Sequence, residues 1–459
     1  MSAFNATQFK IQTKALLRIA GPLIVNNLAV AGMQFADAVM AGSLGPKSLA
    51  AVAVGGGLWF LGFSFCLGIL MAISPIVSRH FGAQRFELIG RYTRQGIYLA
   101  VVLGLPIVLV GQFAALPLLT SIGIDPEFRD LTAEYVSAIS LGAPGIFAFL
   151  ALRFTTEGIG HTRPIMYVSM LSLVCNVFLN YVLMFGHFGA PELGAVGCGY
   201  ASAITMWFVM TALATYMLLS PRYRKFNLFG KLAPIRISAF KEIFKLGVPI
   251  AVTISAEGGL FSAIGLLMGT RGIQIAAGHH IAISFASTMF MIPLALSAAT
   301  TVLVGQLLGA QKPEAARACG ISGIFLCALV MAMAAVLLLV FRNSVVGLYT
   351  TDAAVIAIAI DLFLMAAIFQ IADGIQIGAA GALRGYKDTA IPMVINLFAF
   401  WVLAFPLAYI AAITYEAAPV YVWIGFVVGL TVSAVLLSWR YRWVSHVPPE
   451  TDFVVRETA

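Results

Sequence analysis

Charge is what this sequence has least of. Only 10% of its 459 residues are Asp, Glu, Lys or Arg, while 61% are hydrophobic and the mean hydropathy is +0.97. Soluble chains carry about 25% charged residues to keep their surfaces wetted, so a water-soluble globule is excluded. Disorder is excluded as well, because it requires low hydrophobicity. The five cysteines (Cys66, Cys175, Cys198, Cys319 and Cys327) are odd in number and sit in apolar stretches without Cys-x-x-Cys or Cys/His spacing. They read as small packing residues, with no disulfide framework and no zinc site. Basic patches with interleaved aromatics are missing too, so no nucleic-acid partner is expected despite a net charge of +8. No HExxH, no GxSxG and no acid beside a histidine within an apolar run is present, which argues against a membrane-embedded enzyme.

What is present is a series of apolar runs, each long enough to cross a bilayer as a helix of about 20 residues. They fall near 14–43, 48–78, 93–118, 131–155, 164–186, 194–219, 244–269, 274–308, 315–341, 354–382, 390–413 and 419–441. The first exceeds the roughly 7–15 apolar residues of a signal-peptide core, so it is expected to belong to the fold. Runs of this length suit helices, which alone close their own hydrogen bonds in lipid without forming a barrel. The expected fold class is an all-α polytopic membrane protein with twelve transmembrane helices. Assigning connectors alternately to the two sides places all but four of the 27 lysines and arginines on the side of the N-terminus; the exceptions are Lys47, Arg129, Arg271 and Arg342. The positive-inside rule then puts both termini in the cytoplasm, in a cell inner membrane whose anionic lipids account for the basic charge.

The chain also repeats itself at an offset of 227 residues. Leu17-Arg18-Ile19-Ala20-Gly21-Pro22-Leu23 falls on Phe244-Lys245-Leu246-Gly247-Val248-Pro249-Ile250, Gly42 on Gly269, Gly45 on Gly272, and Gly82-Ala83-Gln84-Arg85 on Gly309-Ala310-Gln311-Lys312. Two pseudo-symmetric six-helix lobes are therefore expected, 1–220 and 243–459, joined by a cytoplasmic connector at 221–242. Related lobes of this kind can open a central cleft to alternate sides by rocking, as parallel-repeat transporters do. Duplication of a scaffold alone does not require transport.

Most of the 19 acidic residues lie at loops or helix ends. Asp37, Glu257 and Asp373 instead stand inside apolar runs. Each opposes insertion by roughly 2.5–3.5 kcal/mol when unpartnered. Every lysine and arginine reads as a connector or helix-end residue, so these acids are expected to be protonated, hydrated or paired with a bound cation. Polar neighbours share their faces. Asn27, Gln34 and Asp37 are spaced i, i+7, i+10; Gln370, Asp373 and Gln376 follow at steps of three; Asn176 and Asn180 are i, i+4. Amide oxygens beside a carboxylate suit a small hard cation or a proton relay, though an Asn pair also bridges helices. His279 and His280 could titrate or pack at an interface. Neither acid tested by the offset is duplicated, since Asp37 falls on Ile264 and Glu257 on Val30. The 33 Phe and 17 Met offer adaptable apolar surface, and aromatic faces attract organic cations.

Three stretches carry a family resemblance: Met33-Gln34-Phe35-Ala36-Asp37-Ala38-Val39-Met40-Ala41-Gly42, Gly189-Ala190-Pro191-Glu192-Leu193-Gly194-Ala195-Val196-Gly197-Cys198-Gly199, and Leu383-Arg384-Gly385-Tyr386-Lys387-Asp388. With them the chain resembles the multidrug and toxic compound extrusion (MATE) family, in its NorM-like branch, over essentially its full length. The resemblance implies export of organic cations by antiport with Na+ or H+, and no cofactor beyond the coupling ion. It implies that Asp37 is an ion- or proton-binding carboxylate, that Asn176, Asn180 and Ser202 are polar positions beside it, and that Glu257 and Asp373 serve cation coupling and drug contact. The same three acids would ligate the metal ion if Na+ is the driver. Phe369 stands where some Na+-coupled relatives have tyrosine, and His280 where others have glutamine, which leaves the ion open.

The expected function is secondary antiport of amphipathic organic cations by a monomer in the lipid bilayer. The candidate substrate-binding residues are Gln34, Asp37, Glu257, His280 and Asp373. A flippase for an anionic lipid-linked precursor, on a related two-lobe plan, is the alternative. Such a substrate would call for basic groups in the cleft, where the sequence offers acids.

Overall fold

A computed structural model describes residues 6–230, 234–347 and 349–446 of the protein. Lys231 of the connector and the terminal charges Glu450, Asp452, Arg456 and Glu457 lie outside the described residues. The described residues are helical with no strand, as expected where lipid leaves the backbone no other partner than itself. Thirteen helices set the frame: α1 (Phe9–Ser43), α2 (Pro46–Gly82), α3 (Phe86–Ser121), α4 (Pro126–Ser140), α5 (Ala143–Gly158), α6 (Arg163–Phe185), α7 (Gly194–Leu219), α8 (Ile237–Gly269), α9 (Ile273–Gly309), α10 (Pro313–Gly347), α11 (Ala353–Gly385), α12 (Ala390–Thr414) and α13 (Pro419–Val444). Eleven are long and apolar enough to span a bilayer singly. The exceptions, α4 and α5, qualify only as a pair bent by 45°; counted as one broken span they bring the number to twelve.

That bend is where the structure departs from the continuous fourth run expected at 131–155. Pro144 lacks the N–H that would bond the carbonyl of Ser140, and its ring crowds the preceding turn. The nearby Leu141 carbonyl takes the Trp207 indole Nε1–H of α7 at 3.0 Å. The break is thereby tied to a neighbouring helix. Several acids assigned to helix ends act there as caps. Asp125 accepts from the Glu127 N–H at 2.9 Å, and Asp352 from the Ala354 N–H at 2.8 Å, each satisfying a first-turn donor. Asp361 is different: it stands two turns inside α11, on an exposed face.

The chain forms two compact units. One comprises Ile19–Val77 and Arg85–Ser255; the other takes the residues up to Arg18, Ser78–Gln84 and everything from Ala256 onward. In the first, α7 packs on α4, α5 and α6. The basic connector belongs to this unit and is fastened to α3. The buried Gln95 amide donates to the Pro234 carbonyl at 2.9 Å and accepts from the Arg236 N–H at 3.0 Å, so both ends of the amide hold this segment. Lys225 lies 4.3 Å over the Phe86 ring. In the turn after α5, His161 Nδ1 meets the Tyr223 hydroxyl at 3.0 Å. Burial, reinforced by Arg222 and Arg163, lowers the pKa of that imidazole.

In the second unit α11 is central, packed by α9, α10 and α13. The same unit contains a close crossing of the two repeated Gly-Ala-Gln helix ends. A Cβ on Gly82 would stand 1.9 Å from the Gln306 carbonyl oxygen, and one on Gly309 would stand 2.0 Å from the Arg79 carbonyl oxygen. Both contacts are backbone against backbone. Only glycine permits them.

Candidate functional site

Asp37 lies on α1 among side chains from α4, α6 and α7. The Asn180 amide Nδ2 donates to its Oδ1 at 2.5 Å, and more weakly to Asn176 Oδ1 at 3.4 Å. The Cys198 thiol is within hydrogen-bonding reach of both Asp37 and Ser202. Tyr135, buried on α4, adds its ring close enough to feel both Asp37 and Cys198. Glycines set this geometry. A Cβ on Gly197 would lie 2.5 Å from the Leu183 carbonyl and one on Gly199 2.9 Å from the Tyr135 carbonyl, so these two residues let α7 rest directly on α6 and α4. The Gly-rich second motif thus delivers Cys198 to the carboxylate. Asn180 Oδ1 is buried without a hydrogen-bond partner.

Asn176, Asn180 and Ser202 are therefore gathered round Asp37. Gln34 is exposed, one helical step before Asp37 on α1. The buried amide on that helix is Asn26, which bonds Asn27 at 3.0 Å and accepts from the Ser169 hydroxyl at 2.5 Å. Sequence reading missed Cys198 and Tyr135, since a thiol and a ring in apolar runs look like packing.

Glu257 and Asp373 occupy the second unit with the two glutamines of α11. Gln370 and Gln376 are fully buried and Asp373 is 5% exposed. Neither amide atom of either glutamine makes a well-aligned hydrogen bond, and Asp373 Oδ1 also lacks one. Gln376 is the neighbour of Glu257 nonetheless. Buried polar groups left this way are costly unless water or an ion meets them. Beside them lies an aromatic wall: Phe261 stacks on Phe426 at 4.6 Å, and Phe369 meets Trp423 at 5.7 Å. Of the two histidines, His279 is buried and accepts from the Trp423 indole at 3.1 Å, whereas His280 is exposed.

One expectation is corrected here. Arg384, counted as a helix-end residue, turns into the protein and acts electrostatically on Glu257. Its Nη2 donates to Ser297 Oγ at 2.7 Å. A signal existed: Arg384 stands eleven residues after Asp373, close to three full turns and hence on the same helix face. In the same motif Asp388 turns outward to pair with Arg440 at 2.7 Å.

Asp37 lies in one unit, Glu257 and Asp373 in the other. No group of three or more His, Cys, Asp or Glu suited to a metal ion occurs among the described residues. Cation ligation at either site would rest on amides and hydroxyls as much as on acids. A groove of about 830 Å³ on the far face of α11, bordered by Leu364, Ile368, Ile371, Ile375 and Val435, is apolar and carries no charged group.

Comparison with known proteins gives one family. The MatE family model matches residues 22–182 and 249–410, two stretches that begin at the paired prolines of the internal repeat. The multidrug resistance protein NorM of Aliivibrio fischeri is 35% identical over 446 residues, covering 96% of this chain and 97% of that protein. The multidrug resistance protein MdtK of Photorhabdus laumondii is 36% identical over 443 residues, with 96% and 97% covered. Among solved structures, the eukaryotic MATE transporter AtDTX14 aligns with a TM-score of 0.85 at 25% identity, covering 96% of this chain and 98% of that one. An outward-facing multidrug resistance MATE transporter of the MOP superfamily aligns at 0.87 and 20% identity, covering 95% and 97%, a likeness of fold.

Proposed function

This chain belongs to the MatE family, and from that premise we propose that it is a secondary antiporter exporting amphipathic organic cations against Na+ or H+. The proposal places it in a cell inner membrane with both termini cytoplasmic, in two six-helix lobes, working as a monomer by alternating access. Members of the family are transporters, driven by ion gradients without a bound cofactor. The observation that carries the reading is chemical: carboxylates inside apolar helices are held among buried amides, of which Asn180 Oδ1 and the amide atoms of Gln370 and Gln376 lack hydrogen-bond partners. Such groups suit a ligand that arrives and leaves.

Asp37 takes an ion or proton, with Asn176, Asn180 and Ser202 as ligands or relay. Glu257 and Asp373 couple the cation and meet the drug, with the aromatic wall of Phe261 and Phe426 offering faces to an organic cation. Gln34 and His280, both exposed, complete the drug contacts. Flipping an anionic lipid precursor is less favoured, because Arg384, which acts on Glu257, is outnumbered by Glu257 and Asp373.

Loading either ligand neutralises a carboxylate and so competes with the other. Exchange of one monovalent ion for one monovalent drug moves no net charge, leaving only the ion gradient, about 1.4 kcal/mol per tenfold ratio, as the driving force. Ethidium efflux from everted vesicles, with sodium and pH varied independently, tests the proposal. The expected result is acceleration by one of the two gradients; efflux indifferent to both would overturn it.

A further inference from the structure

We propose that Arg384 is the resident counter-charge of the Glu257–Asp373 pair and limits that site to one bound monovalent cation at a time. The inference rests on the reading that these two acids take the coupling cation and deepens it by fixing how many charges they accept.

The geometry begins with the helix. Arg384 is the penultimate residue of α11, and Cα–Cβ bonds in a helix tilt toward its N-terminus. A long side chain here runs back along the face that carries Asp373 instead of out past the end. Ser297 of α9 fixes its position. Its hydroxyl accepts from Arg384 Nη2 at 2.7 Å and donates to the Ile377 carbonyl at 2.7 Å. The guanidinium tip therefore stands level with Ile377, beside Gln376, the neighbour of Glu257. Its Nε is closed from solvent with no hydrogen-bond partner, so neutral groups do not saturate the fork. The facing groups from the surrounding helices are few. Cys327 of α10 lies near Asp373, and α9 adds the hydroxyls of Ser297 and Thr301, the latter bonded to the Gly381 carbonyl at 2.7 Å. Glu257 of α8, Asp373 and Arg384 are then the charged groups that set the local sum.

That sum has a consequence for exchange. Two ionised carboxylates and one guanidinium leave a single negative charge, since arginine stays protonated in proteins. One proton, one sodium ion or one monocationic drug head neutralises it. A second cation would bury an uncompensated positive charge, which is strongly opposed in a low-dielectric interior. Without Arg384 the same pair would accept two. Ion and drug thus exclude each other here by charge count as well as by space.

The test measures ions moved per substrate. Full-length protein in liposomes is given a graded ion gradient, with tetraphenylphosphonium as the monocationic probe; the slope of log accumulation against log ion ratio reports the stoichiometry. Arg384→Gln is expected to raise that slope by about one, while Arg384→Lys keeps the wild-type value. An unchanged slope in a transporting Arg384→Gln protein overturns the proposal. If that variant fails to fold, the charge-balanced double variant Arg384→Gln with Glu257→Gln decides: folding with one cation bound supports the count, and continued failure assigns Arg384 a structural role and overturns it. Glu257→Gln and Asp373→Asn separate the two levels. If neither alters coupling, the reading of the acids falls; if both do while Arg384→Gln leaves the slope alone, only the charge limit falls.

Discussion

Asn180 places an amide donor 2.5 Å from the Asp37 carboxylate, and that one bond stabilises the ionised, unloaded acid. A hydrogen bond to a charged group contributes about 1.5–3 kcal/mol, equivalent to roughly tenfold to a hundredfold in binding. Asn180→Leu removes the donor and keeps the branched skeleton of the side chain. With a proton as the coupling ion the variant is expected to hold it at least about tenfold more tightly and to release it slowly, so the half-saturating proton concentration and the maximal rate both fall; with Na+, which loses an amide ligand, the half-saturating concentration rises instead. An unchanged half-saturation would show that Asp37 does not depend on this amide. The acids themselves were legible in the sequence because charge in an apolar helix is costly wherever the helix ends up. Their partners were legible only in part. Asn176, Asn180 and Ser202 announced themselves as polar, whereas Cys198 and Tyr135 carry their role in a contact that no spacing records. Arg384 was misplaced for a different reason: its position along the chain says helix end, and the direction of its side chain says interior.

At the scale of elements, the repeated Gly-Ala-Gln ends of α2 and α9 cross with no room for a side chain. Gly82→Ala and Gly309→Ala each force a methyl group into a backbone carbonyl, and overpacking of this kind costs about 1–3 kcal/mol. Melting in detergent is expected to show a lowered midpoint for both, while Gly57→Ala, whose added carbon meets nothing within 4 Å, melts like the wild type. Equal midpoints for all three would mean the crossing is not a tight contact in the protein. Hydropathy located the spans well because each is a contiguous property of about twenty residues. It could not resolve the α4–α5 break, where Pro144 outweighs an apolar pattern that runs on unaltered. The anchor of the connector has no signature in its basic composition, since it is the single buried amide of Gln95 that fastens it to α3.

For the whole molecule, the central claim is that Asp37, Glu257 and Asp373 together exchange cation for drug across a chain otherwise almost free of intramembrane charge. The offset repeat and the charge asymmetry between connectors are legible in the sequence, because both are sums over long stretches and tolerate local error. The division of the acids, Asp37 in one unit and the other two in the other, was not, since the contacts that define the units join residues far apart in the chain. The most direct measurement is gradient-driven ethidium efflux from proteoliposomes containing the wild type or one of Asp37→Asn, Glu257→Gln and Asp373→Asn, each checked for folding by its melting profile. The account predicts that every folded single variant loses at least about tenfold of the gradient-dependent rate, the equivalent of roughly 1.4 kcal/mol. Wild-type rates in all three would contradict it.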